Sequence, residues 1–266
     1  MTDVVLYEVA DRIATVTLNR PEARNALSAE VRRLLWLRME EADADAAVDV
    51  VVLTGTDPAF CAGLDLKELG SAGPTGGPDV PAGATSTSAS ATRPVPVMGK
   101  PLIGAVNGVA VTGGLELALA CDFLVASERA RFADTHSRVG IQPGWGLTVG
   151  LAAAVGVRRA KELSATGNYL DAPTALTWGL VNHVVAHDEL MAYSRRLAAD
   201  IVSNDQAGVR RLLQTYDEGA QVTGAEAAAL EIRISREWMA TGQGGSPAEV
   251  EARRRQVVDR GRSQVD

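Results

Sequence analysis

The sequence predicts an α/β protein made of repeated β-β-α units and closed by an all-helical tail. Three observations predict it. Continuous apolar runs such as "DVVVLTG" and "PLIGAVNGVAV" end at or contain glycine, as strands buried on both faces do. Small residues and glycine lead each run into a helical stretch, and from about residue 188 onward the Ala, Leu, Arg and Glu content is helical throughout.

The elements follow in order. "VVLYEV" (4–9) and "IATVTL" (13–18) are rich in Val, Ile, Leu and Thr and flank the polar break "ADR", which predicts a β-hairpin. The loop "LNRPEARNALS" ends at Ser28, a good helix start, and Val31, Leu34, Leu35 and Met39 then recur at helical spacing. "DVVVLTG" and "PLIGAVNGVAV" are the two buried runs. Residues 70–99 lie between them and are almost all Gly, Pro, Ser, Thr and Ala, the composition of a functional lid or of a disordered loop. "FLVASE" and "ARFADT" read as strands, and the glycine-rich turn "VGIQPGWGLTVG" leads into helices. "VGVRRAKELSATG", "APTALTWGLV" and "NHVVAHDEL" then alternate helix with short strand. We divide the chain into a core, residues 1–190, and a helical C-terminal region, residues 191–266.

At 266 residues, 46% hydrophobic and 22% charged, the chain is long enough to bury a core without covalent staples. Two cysteines, Cys61 and Cys121, make no disulfide framework and point to a reducing compartment. The first residues, "MTDVVLYEVADR", do not read as a signal peptide, and no apolar run approaches the ~20 residues that cross a bilayer. A cytoplasmic protein is expected. A net charge of −7 argues against nucleic acid as a general partner. The run "EARRRQVVDRGR" is either a local site for a small anion or a solvated helix face.

Chemistry concentrates in two segments of the same grammar. In "VVLTGTDPAFCAGLDLKEL", Ala62 and Gly63 precede a helix expected to start near Asp65. In "AVNGVAVTGGLELALA", Gly113 and Gly114 stand at a helix start. N–H groups at helix starts lack intrahelical partners and carry the positive end of the dipole. Two such starts aimed at one spot would form an oxyanion hole with one donor from each loop; taken singly, each is equally a plain tight turn. Glu116, one turn into the second helix, sits among Leu115, Leu117, Ala118, Leu119 and Ala120. It is either a first-turn glutamate favoured by the dipole or a desolvated general acid/base. Trp145 either lines a pocket or packs in the core. His183 and His187 have a metal-like spacing but no third ligand, so no metal is expected. Neither glycine cluster is followed by the lysine and hydroxyl residue of a phosphate-cradling loop.

Taken together, "LNRPEARNALS", "AFCAGLDLKEL", "AVNGVAVTGGLELALACD" and "ARFADTHSRVGIQPGWG" resemble the enoyl-CoA hydratase/isomerase family, the crotonase superfamily. The resemblance implies a crotonase-like spiral of β-β-α units with a helical C-terminal trimerisation region, assembled as trimers or dimers of trimers. It implies an acyl-CoA thioester as ligand, with coenzyme A entering as part of the substrate and no separate cofactor. Carried onto this sequence, it makes the N–H groups of Leu64 and Gly113 the oxyanion donors. It lays the adenine end along Ala62, Leu64, Asp65 and Leu66, with Arg24 near the phosphates. Glu116 falls where family hydratases carry their first catalytic glutamate. Their second follows the phenylalanine of "RFADTHSRVG", and this sequence has His136 in that place. His136 is then either a substituted acid/base, suited to proton transfer near neutrality, or a structural residue. Asp134 would orient it if the segment is extended there. The expected activity is hydration of a 2-enoyl-CoA. The alternatives are enoyl-CoA isomerisation, acyl-CoA decarboxylation, thioester hydrolysis or a silent acyl-CoA-binding subunit.

Overall fold

A computed structural model describes residues 3–65, 67–68 and 93–241 of the chain. The expectations for Leu66, for residues 70–92 of the Gly- and Pro-rich stretch and for the basic run near the C-terminus fall outside the described residues. The chain forms two compact units, Met1–Ser203 and Asn204–Asp266.

In the first unit the hairpin forms as expected from β1 (Val5–Ala10) and β2 (Ile13–Leu18), with Val5 opposite Leu18. Helix α1 (Ala29–Ala44) is capped by Ser28, whose hydroxyl accepts from the N–H of Val31, and its Val31, Leu35, Trp36 and Met39 are buried. β3 (Val50–Gly55) is buried along its whole length. Successive strand residues point to opposite faces, so Val51 and Leu53 join Val31, Leu35 and Met39 in one core, while Val50 and Val52 join a second.

β4 (Ala59–Cys61), β5 (Leu102–Val106), β6 (Val109–Val111), β7 (Phe123–Ser127) and β8 (Arg131–Ala133) follow, then β9 (Leu170–Asp171) and β10 (His183–Val185). The six-stranded sheet runs β1-β2-β3-β5-β7-β10 and the four-stranded sheet β4-β6-β8-β9. From β3 to β8, then, the first strand of each unit enters the large sheet and the second enters the small one. That alternation is the predicted spiral. The run "PLIGAVNGVAV" reads as one strand in the sequence but divides between the sheets at Asn107 and Gly108. A Cβ on Gly108 would overlap the carbonyl oxygen of Pro58, so only glycine lets the chain pass this close to β4.

The remaining helices are α2 (Gly113–Leu119), α3 (His136–Val139), α4 (Leu147–Val155), α5 (Val157–Thr166), α6 (Ala172–Trp178) and α7 (Leu190–Val202). α7 lays Leu190 and Ala198 on Val50, Val52, Ile103 and Ala105, forming the second core. This packing places α7 in the first compact unit, which extends to Ser203. The second unit contains α8 (Gln206–Gly219) and α9 (Gly224–Ala240). No described helix is long and apolar enough to cross a membrane.

One imidazole ties several strand ends together. His187 Nδ1 lies 3.0 Å from the hydroxyl of Ser127, which ends β7, and Nε2 lies 2.9 Å from the carboxylate of Asp57, which follows β3. Asn107, just after β5, donates to the same carboxylate at 2.9 Å. Ser127 is fully buried, so this cluster is a structural pin and not a nucleophile with access to substrate. His187→Ala is expected to lower unfolding free energy by about 1–2 kcal/mol, because it leaves the buried Ser127 hydroxyl with only its bond from Arg129 N–H and removes the contact with Asp57; urea titration measures it.

Candidate active site

The first glycine-bearing loop is held from below by the segment that precedes α1. Asn25 is fully buried with φ at +56°, a conformation that asparagine tolerates better than most residues. Its amide donates to the carbonyls of Thr56 (2.8 Å) and Ala59 (2.6 Å), and its oxygen accepts from Arg20 N–H. The N–H of Ala62 donates to Arg24 O, that of Leu27 to Gly63 O, and that of Asp65 to Leu27 O. Arg20 closes the fastening with an ion pair to Asp65 at 3.0 Å. Burial pulls the Asp65 carboxyl upward, but the hydrogen bonds from Arg20 and from Lys67 N–H, with the guanidinium's charge, outweigh it and hold it below the usual carboxylate range. Gly63, at φ +88°, makes the turn before Leu64.

The second loop meets the first. A Cβ on Gly113 would lie 3.5 Å from Leu64 N and 3.6 Å from Gly63 Cα, so the two segments close directly on each other. As the first residue of α2, Gly113 has no intrahelical acceptor for its N–H. Neither this N–H nor that of Leu64 donates to an acceptor among the described residues. Thr112 precedes it at φ +55°, a rare and costly conformation for a threonine. It is held there by its N–H to Ala133 O (2.9 Å) and by a 2.6 Å hydroxyl contact with Thr135.

Glu116, one turn further along α2, is buried, 3% exposed. Its Oε1 accepts from the main-chain N–H of Trp145 at 2.8 Å, and the indole of Trp145 covers Gly113, with Cζ3 3.2 Å from that Cβ position. Trp145 therefore belongs to the site and is only partly buried. Desolvation raises the Glu116 carboxyl above its ordinary pKa, against opposing pulls from the Trp145 N–H and from His136. His136 Nε2 faces Glu116 Oε2 at 3.8 Å. Its Nδ1 is 2.7 Å from Asp134 Oδ1, which also accepts the His136 main-chain N–H at 3.1 Å. The two residues meet in a turn: β8 ends at Ala133 and His136 opens α3, so contact arises without the extended backbone expected from the sequence.

Of the sequence-predicted residues, Leu64, Gly113, Glu116 and His136 converge, and Ala62 and Asp65 flank them. Arg24 is exposed at φ +50°, and its carbonyl accepts from the N–H of Ala62. The fastening by Asn25 and Arg20 was not read from the sequence, although the "NR…RN" spelling of that loop carries it. Cys61 and Cys121 are free thiols whose pKa burial raises, to about 12 for Cys61. His183 Nδ1 contacts Tyr193 OH at 3.1 Å, so the two histidines of the metal-like pair engage separate partners.

A β-β-α spiral whose two glycine-bearing loops close beside an interior carboxyl defines a protein of the crotonase fold. The chain belongs to the enoyl-CoA hydratase/isomerase family, which it matches over residues 8–256. It is 39% identical over 224 residues to the probable enoyl-CoA hydratase 1, peroxisomal, of Arabidopsis thaliana, covering 82% of this chain and 80% of that protein. It is 36% identical over 238 residues to a short-chain-enoyl-CoA hydratase of Clostridium acetobutylicum, covering 89% and 90% respectively. Among solved structures it is similar to an enoyl-CoA hydratase from Mycobacterium smegmatis, with 49% identity, a TM-score of 0.73, and coverage of 90% of this chain and all of that one.

Proposed function

We propose that this protein adds water to the double bond of a 2-enoyl-CoA thioester. The observation that carries the reading is the facing pair Glu116 and His136, 3.8 Å apart and both buried, beside the junction of Leu64 and Gly113. In this reading the N–H groups of Leu64 and Gly113 bind the thioester oxygen, where negative charge develops; one such donor is typically worth about 2.7–4 kcal/mol of barrier. Glu116 takes a proton from water as its oxygen bonds to Cβ. The π electrons move to Cα and the thioester oxygen, and His136 delivers a proton to Cα. Burial supports the role of Glu116, because a carboxyl raised toward working pH is a stronger base.

Coenzyme A would lie along Ala62, Leu64, Asp65 and Leu66 with Arg24 near its phosphates. We read the assembly as a trimer or a pair of trimers. Exposed Leu212 and Tyr216 on α8 and Ile232 on α9 support a helical region that covers apolar surface by association. We also read the location as cytoplasmic, supported by the two free thiols.

The test is an assay of purified protein against crotonyl-CoA, a 3-enoyl-CoA and malonyl-CoA, with products identified by mass. Hydration of the first, with slower or no turnover of the others, is expected. Turnover confined to the 3-enoyl or malonyl thioester would overturn the reading.

A further inference from the structure

We infer that Asp134 is a positioning residue for proton transfer: it fixes the His136 ring so that Nδ1 stays protonated and Nε2 alone exchanges protons with the reacting groups. This inference rests on the hydration reading above for its kinetic consequences, but its structural content stands apart from it.

The geometry comes first. One carboxylate oxygen of Asp134 collects two donors from the same residue, the main-chain N–H and the Nδ1–H of His136. The first contact fixes where the residue starts and the second fixes the ring about its own axis. Asp134, His136 and Glu116 are each no more than 5% exposed, so no bulk water competes for these contacts. Burial alone would raise the Asp134 carboxyl, but hydrogen bonding, chiefly from His136, outweighs it and keeps it below the usual range. An ionised Asp134 can only accept, so the ring nitrogen against it must carry hydrogen in both charge states of the imidazole. The nitrogen left to gain and lose a proton is Nε2, and Nε2 is the one that faces Glu116.

The proton count explains why this matters. In one turnover Glu116 gains a proton from water, while His136 loses one from Nε2 to Cα. The product has gained the hydroxyl of the water and, at Cα, the hydrogen that His136 gave up. The enzyme is left with a neutral imidazole and a neutral carboxyl. One proton must therefore return from Glu116 to Nε2 before the next cycle, and the two groups face each other at 3.8 Å. A ring turned by 180°, or held in the other tautomer, would present a nitrogen of the wrong protonation to that gap.

Two measurements test this. The chain has three histidines, so imidazole nitrogen-15 NMR spectra are assignable with His136→Gln as the reference. The expected spectrum keeps His136 Nδ1 protonated at every pH at which the protein is folded, with Nε2 alone titrating. A ring protonated at Nε2, with Nδ1 titrating, would overturn the inference whether or not any thioester is turned over. The second measurement is a double-mutant cycle on crotonyl-CoA. Asp134→Asn is expected to lower kcat by about 10–100-fold with KM within about twofold. The same change in the His136→Gln background should add nothing. An equal loss in both backgrounds would show a merely structural role. Failure of the unmodified protein to hydrate any 2-enoyl thioester would count against the proposed function and leave the NMR result to decide the role of Asp134.

Discussion

Glu116→Gln is expected to lower kcat for hydration by about 10²- to 10⁴-fold, the usual worth of a positioned general base, with little change in the affinity for coenzyme A. Glutamine has nearly the same shape and its carbonyl still accepts from Trp145 N–H, so the loop that covers Gly113 stays in place. What it cannot do is take a proton from water. The same residue sets the pH response. Glu116 acts in its ionised form, and desolvation raises its pKa, so kcat/KM should fall with decreasing pH along a limb lying above the ordinary carboxylate range. The stability response has the opposite sense. A carboxyl whose pKa is raised by folding costs stability once it ionises, and the cost grows as pH rises from the unfolded to the folded pKa. Glu116→Gln removes that cost, so the variant should melt higher than the parent at pH 8, with the difference shrinking toward pH 4. Near-normal turnover in the variant would rule out Glu116 as the base, and a variant that melts lower at pH 8 would rule out a stability cost from its ionisation.

Much of this was legible in the sequence because the relevant signals are local. Apolar runs such as "DVVVLTG" mark strands buried on both faces, Ser28 marks a helix start, and an acid flanked by leucines marks a desolvated group. What was not legible depends on contacts between segments far apart in the chain. "PLIGAVNGVAV" has uniform hydropathy, and only the approach of Gly108 to Pro58 reveals that it changes sheets. Likewise the sequence left Trp145 open between pocket and core, and nothing in it shows that its main-chain N–H ends on a carboxyl 29 positions earlier. The Asp134–His136 contact was visible as a pair of residue types. Its geometry was not, because the turn after β8 brings together side chains for which the sequence reading assumed an extended strand. Asn25 looked like a loop residue. Its three hydrogen bonds make it the fastening of the Gly63–Leu64 turn.

Gly114→Ala is the second large effect, and it probes the junction without touching an ionisable group. A Cβ at Gly114 would overlap the carbonyl oxygen of Cys61 and lie 2.8 Å from that carbonyl carbon. Both are main-chain atoms of β4, and β4 is itself paired with β6 at Ala110, so no flexible side chain is available to yield. The start of α2 must therefore move away from the first loop, carrying Gly113 and Glu116 with it. A displacement of about 1 Å at reacting groups costs on the order of 10²-fold in rate, and overpacking of this kind costs roughly 1–3 kcal/mol of stability. Gly150→Ala is the control. It sits on α4, where a Cβ would meet only the Leu119 side chain at 3.6 Å, an ordinary contact. That variant should keep full activity and melt at or slightly above the parent, since alanine favours a helix interior over glycine. Full activity in Gly114→Ala would mean that the two loops need not close on each other for turnover, and the paired-amide reading would then fail at its base.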